Sequence, residues 1–280
     1  WSDVPPAGRA LESRRMAVYA AMTENMDRQV GRVLRLLEQR GLFDDTLIVC
    51  LSDNGPDASQ PELAPWSRAW YDERYPKKAL ADAGLPGSFS TYGPQWAQLG
   101  SAHLRGFKGS AFEGGLRVPL IASWRGHIPA GRRSDAFGWV TDVVPTLLDA
   151  AGVAHPAPRF RGREVFALDG MSLLPHLEGR APRIHPPEQA VGYALFKDRA
   201  LFQGDWKLVR VGPPTDDGQW HLFDLSRDPA EREDQAATEP ARFARMQELY
   251  ADYARRYGVI SAPDDFDVFG ALTRERAPGR

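Results

Sequence analysis

The stretch Thr46–Leu51, TLIVCL, is aliphatic or β-branched at nearly every position and then stops abruptly in Ser-Asp-Asn-Gly. A run without alternation is apolar on both faces, which suits a strand only where both faces of its sheet are covered. Before it, between Ser13 and Arg40, Tyr19, Met22, Met26, Val30, Val33, Leu34 and Leu37 recur at three- and four-residue intervals. That spacing predicts an amphipathic helix, with Ser13 as N-cap and Gly41 as the stop. A helix followed by a doubly covered strand is the rhythm of an α/β sheet, in which ligands gather at the carboxyl ends of the strands. SDNG is therefore expected at such an edge. Cys50, the single cysteine, falls mid-run, where it is predicted to pack as a small buried thiol; neither an internal disulfide nor a cysteine zinc site can form.

Val118–Trp124, VPLIASW, predicts a second buried strand, and Thr141 a cap for the helix through DVVPTLLDAAG. Residues 56–100 are rich in Pro, Trp, Tyr and Gly and read as a covering loop near a pocket. Trp66, Trp70, Tyr71, Tyr92 and Trp96 either line that pocket or stabilise the loop. After about residue 180 short antiparallel strands are predicted, with turns at Gly204-Asp205 and Asp216-Asp217-Gly218. A closing helix over Pro240–Tyr257 carries Phe243, Met246, Leu249 and Tyr253 on one face. The expected fold class is α/β, a mixed sheet flanked by helices, followed by a small antiparallel sheet with a carboxyl-terminal helix. The division falls into residues 1–180 and 181–280.

With 35 Lys and Arg against 37 Asp and Glu, the chain has no global field for nucleic acid or an anionic membrane. No segment approaches the roughly 18 continuous apolar residues that span a bilayer.

Two clusters carry chemistry. Asp53 and Asn54 offer oxygen, the donor that calcium and magnesium take, although the same dipeptide with Gly55 also suits a capped turn. The second is Leu104–Pro119, LRGFKGSAFEGGLRVP, where Lys108 stands among glycines and small residues. A compact ammonium on glycine-rich backbone suits a tetrahedral oxyanion, and with a cation nearby it describes a phosphoryl- or sulfuryl-transfer pocket. His103 is a further candidate for substrate contact or acid, against the reading of an outward loop histidine. Glu113 is read as an anchor for the glycine turn, Asp57 as a turn former, and Asp142 as a complement to its helix dipole. His127, His155, His176, His185 and His221 are read as surface residues.

The segments RRMAVYAAMTENMDRQVGRVLRLLEQRGLFDDTLIVCLSDNG, YGPQWAQLGSAHLRGFKGSAFEGGLRVPLIASW, VTDVVPTLLDAAGV, ALFQGDWKLV and WHLFDLSRDPAE occur in this order. Together they resemble the carboxyl-terminal portion of the sulfatase family, and most of all bacterial type I arylsulfatases of the alkaline-phosphatase superfamily. The resemblance implies hydrolysis of small sulfate monoesters at a calcium-bound formylglycine, one calcium per site, with Asp53 and Asn54 as calcium ligands and Lys108 on the sulfate. The family's Cys-x-Pro-x-Arg or Ser-x-Pro-x-Arg nucleophile motif does not occur in these residues. The chain is therefore expected to supply half of the metal site, to need an amino-terminal half of its own chain, and to be inactive alone. A phosphonate monoester or phosphodiester hydrolase of the same superfamily, and a non-catalytic binding domain, are the alternatives.

Overall fold

The computed structural model describes residues 4–262 except Trp66 and Pro214, so Trp66 of the aromatic loop lies outside the described residues. The elements are α1 (Pro6–Gln39), β1 (Ile48–Leu51), α2 (Arg68–Arg74), α3 (Gly93–Gly100), α4 (Glu113–Leu116), β2 (Leu120–Ser123) and α5 (Val143–Ala150), followed by β3 (Arg159–Phe160), β4 (Arg163–Glu164), α6 (Leu174–Leu177), β5 (Ala190–Leu195), β6 (Asp198–Gln203), β7 (Trp206–Arg210), β8 (Trp220–Asp224) and α7 (Pro240–Arg256). They fall into two compact units: residues up to 32 with 54–117 and from 191 onward, and residues 33–53 with 118–190.

The first unit holds the antiparallel sheet β5-β6-β7-β8. Gly204, at φ 58°, and Asp205 turn β6 into β7, as their sequence predicts. Ala200 opposes Val209 and Leu201 opposes Leu208, while Leu208 opposes Leu222 across the next pair. Leu201, Leu208, Val209 and Leu222 have no exposed surface, and each such side chain stabilises the fold by roughly 1.5–3 kcal/mol. Helix α7 closes the unit with Met246 and Tyr250 buried; the sequence placed Phe243, Met246, Leu249 and Tyr253 on that face, and Tyr250 joins them.

Helix α1 begins earlier than predicted. Pro6 occupies its first turn, where a missing N–H costs nothing, and Ser13 lies inside the helix rather than capping it. Of its apolar stripe, Tyr19, Met22, Met26, Val30 and Val33 are exposed, while Leu34 and Leu37 are half-buried.

In the second unit β1 and β2 form an antiparallel ribbon, with Ile48 opposite Ser123 and Leu51 opposite Leu120. Both strands were expected to be buried, and they are not. Cys50 is exposed and its partner Ile121 is 66% exposed. The apolar pattern calls for cover on both faces, and among the described residues this sheet has two strands. Thr141 lies in a 3-10 turn, Val140–Asp142, and Asp142 takes the position before α5. Asp142 is wholly buried and accepts bonds from the Trp139 N–H at 2.6 Å and the Met171 N–H at 2.8 Å. It also meets His185 Nε2 at 2.8 Å. His185 and His176 are buried, contrary to the surface reading. Their polar partners, Asp142 for His185 and the Ser134 hydroxyl at 2.7 Å for His176, make that burial tolerable.

Candidate active site

Two segments of the first unit are stitched together by backbone. The Gly55 N–H donates to the Gly115 carbonyl at 2.9 Å, and the Lys108 N–H to the Pro56 carbonyl at 3.0 Å. Gly55 is buried, and a Cβ there would collide with the Gly114 carbonyl. Gly114 is equally confined, against the Gly106 carbonyl. Only hydrogen at these positions lets the segment after Asn54 and the lysine loop touch. The sequence placed Asn54 and Lys108 on separate motifs; the fold seats their loops against each other.

The Lys108 ammonium lies 3.3 Å from Asp57 Oδ2, with both side chains about half exposed. Asp57 Oδ1 accepts the Ser59 N–H at 2.8 Å, so the turn-forming role read from sequence holds, and the contact to Lys108 is additional. Burial alone would raise the Asp57 carboxyl; bonds from Ser59 and Lys108 outweigh it and keep it below the usual carboxylate range. An exposed pair of this kind contributes about 0–1 kcal/mol, weak enough for an anion to take the ammonium over. Asn54 is half-buried and its Nδ2 donates to the Gly55 carbonyl at 2.9 Å, which fixes the direction of its carboxamide. Asp53 is exposed, and so is His103, in a left-handed turn at φ 67°.

Behind the lysine loop stand residues that the sequence reading did not connect. Lys207 on β7 is wholly buried and reaches Glu113 Oε1 at 2.9 Å and Glu231 Oε1 at 2.8 Å. Glu231 Oε2 accepts the Glu113 N–H at 2.6 Å. Burial alone would lower the Lys207 ammonium, but the two carboxylates outweigh it and raise it; burial pushes the Glu231 carboxyl up. Asp198, at the start of β6, accepts the Ala111 N–H at 3.0 Å and the Gly212 N–H at 3.2 Å. Glu113 thus anchors the glycine turn, as predicted, through partners up to 118 residues away.

A groove of about 430 Å³ opens beside Asp57, lined by Tyr19, Met22, Leu85, Phe89 and Tyr92 among others. Tyr92 stacks on Tyr19 at 4.6 Å between ring centroids. Burial, with Tyr19 and Asp57 adding to it, pushes the Tyr92 hydroxyl up to about 12, so it stays a neutral polar handle. Trp70, Tyr71 and Tyr75 instead cluster with one another, and Tyr71 and Tyr75 with Phe89, and hold the loop together. Among the described residues, Asp216, Asp217 and His221 form a group whose ligand atoms lie within 4.8 Å of one another. Several of their atoms already meet other side chains, though Asp216 Oδ2 is buried without a hydrogen-bond partner. His221 bridges Asp217 at 3.0 Å and Asp234 at 2.9 Å, and Asp216 meets Arg105 at 3.1 Å. Burial lowers the His221 imidazole, but Asp234 and Asp217 outweigh it and raise it.

Comparison with known proteins agrees with this frame. A sulfatase model matches residues 3–153, and a model described as N-sulphoglucosamine sulphohydrolase, C-terminal, matches residues 107–252. An uncharacterized sulfatase of Schizosaccharomyces pombe is 35% identical over 266 residues, covering 95% of this chain and 48% of that protein. The arylsulfatase of Klebsiella aerogenes is 32% identical over 177 residues, 62% of this chain and 37% of the enzyme. In fold, the chain resembles the crystal structure of Ps i-CgsB in complex with k-i-k-neocarrahexaose. The TM-score is 0.59 at 22% identity, over 92% of this chain and 46% of that one. The chain belongs to the sulfatase family, and it spans about half, or less, of the length of the relatives it matches.

Proposed function

We propose that the complete protein is an arylsulfatase-type hydrolase of small sulfate monoesters, to which this chain contributes Asp53 and Asn54 as calcium ligands and Lys108 as the sulfate-binding cation. The observation that supports it most is the backbone contact between the lysine loop and the segment after Asn54, Gly55 to Gly115 and Lys108 to Pro56. It brings the loop that carries Lys108 against the segment that follows Asn54, whose side-chain oxygen is a donor of the kind calcium takes, and the Asn54 carboxamide is held by its bond to Gly55. When bound, calcium supplies positive charge to sulfate oxygens. The nucleophile, a formylglycine, belongs in this reading to sequence outside these 280 residues.

Within the chain, Asp57 holds the Lys108 ammonium until sulfate displaces it. Lys108 then meets an equatorial oxygen, where charge builds as the ester bond breaks; a donor placed this way contributes about 10²–10³ in rate. The groove beside Asp57, with Tyr19, Phe89 and Tyr92 in its wall, suits an aromatic leaving group. The exposed stripe of α1 and the uncovered ribbon β1–β2 support the need for a further segment of the same polypeptide. No helix among the described residues is long and apolar enough to cross a membrane.

The test is a comparison of rates for the complete protein on an aryl sulfate and a matched aryl phosphodiester, with the 280-residue chain assayed alone. The reading predicts preference for the sulfate and no turnover by the isolated chain. Preference for the phosphodiester would make it a phosphodiester hydrolase instead, and turnover by the isolated chain would refute the division of the site.

A further inference from the structure

The lysine loop is held from behind by side chains that the proposed chemistry leaves unused. Asp198 fixes the Ala111 N–H, Glu231 fixes the Glu113 N–H, and Lys207 bonds the Glu113 carboxylate. Asp198, Lys207 and Glu231 are all buried, and all come from the carboxyl-terminal sheet and the chain just beyond it. Stability alone does not call for such a group, since well-packed apolar side chains of similar volume serve as well or better. What ionic partners add is direction: Asp198 and Glu231 each fix one backbone N–H between Lys108 and the Gly114-Gly115 turn, and Lys207 fixes the Glu113 side chain in the same stretch. That turn in turn receives the Gly55 N–H.

We infer that Asp198, Lys207 and Glu231 are positioning residues for Lys108, so that the carboxyl-terminal sheet is a rear wall that aims the sulfate-binding ammonium. They touch no substrate and act through the conformation of residues 105–115. The inference rests on the reading of Lys108 as the sulfate-binding group.

The test is a double-mutant cycle in the complete protein, with kcat and KM measured on an aryl sulfate and folding followed by thermal melts. Asp198→Asn, which keeps volume and removes one acceptor, is made alone and together with Lys108→Ala. Glu231→Gln is a second route should Asp198→Asn not fold. The expected result is a loss of about tenfold in kcat/KM in the wild-type background and almost none once Lys108 is gone, since coupled residues are not additive. A folded Asp198→Asn or Glu231→Gln variant with wild-type kcat/KM, or with the same fold-loss in both backgrounds, would overturn the inference while leaving Lys108 in place. Wild-type kcat/KM in Lys108→Ala alone would instead remove the underlying reading.

Discussion

A lysine with no exposed surface stays charged only where other charges replace water. Lys207 has two, Glu113 and Glu231, both nearly as buried as itself. Lys207→Met removes the cation and leaves two carboxylates facing each other in the interior. The cost expected for breaking such a buried group is about 3–5 kcal/mol. Denaturant unfolding of wild type and variant measures it directly; a loss under about 1 kcal/mol would mean that the ion group is not formed as described. Nothing in GDWKLV marks this lysine as buried, and it was read only as part of a strand. Its partner Glu113 is 94 residues distant, and pairings over such distances leave no local signal. Glu113 itself was legible because the glycines beside it demand an anchor. The pair Asp57–Lys108 was missed for the same reason of distance, 51 residues.

At the scale of elements, the start of α5 is tied down by one buried carboxylate. Asp142 holds the backbone at Trp139 and Met171 and the His185 ring. Burial lowers the His185 imidazole, but Asp142 outweighs it and lifts it above its ordinary value of 6.5. The sign follows from linkage: the folded state holds this proton more tightly than the unfolded chain does. Its contribution is therefore complete below 6.5 and is lost as pH rises through the folded value. Unfolding free energy measured across that range should fall for wild type more than for His185→Gln; identical slopes would contradict the pair. Sequence reading took Asp142 for a dipole complement and Thr141 for the cap, because it sees the helix and not the loop at Met171 that returns to it. The hairpin β6–β7 was legible, since Gly204 supplies the turn and the flanking residues are strand formers.

At the scale of the whole molecule, hydrophobic pattern and observed burial part company in an informative way. The stripe of α1 and the run through β1 have the periodicity of covered elements, yet Met26 is 61% exposed and Leu51 37%. Among the described residues nothing covers these positions, and the chain spans 48% of its Schizosaccharomyces pombe relative and 37% of the Klebsiella aerogenes enzyme. The family and the order of the larger elements, from α1 and β1 to the antiparallel strands and α7, were thus readable from motifs, whereas α2 and α3 inside the loop read over 56–100, the β3–β4 hairpin and the exposure of α1 and β1 were not. In the proposed site, Asp53 and Asn54 would offer two oxygens where calcium takes 6–8. Calcium titration by calorimetry of the complete protein, against its Asp53→Ala/Asn54→Ala variant, goes straight to that point. The account predicts one calcium per wild-type site and a loss of affinity of at least about 100-fold, or ~2.7 kcal/mol, in the variant. Equal binding by both proteins, or none by wild type, would contradict it.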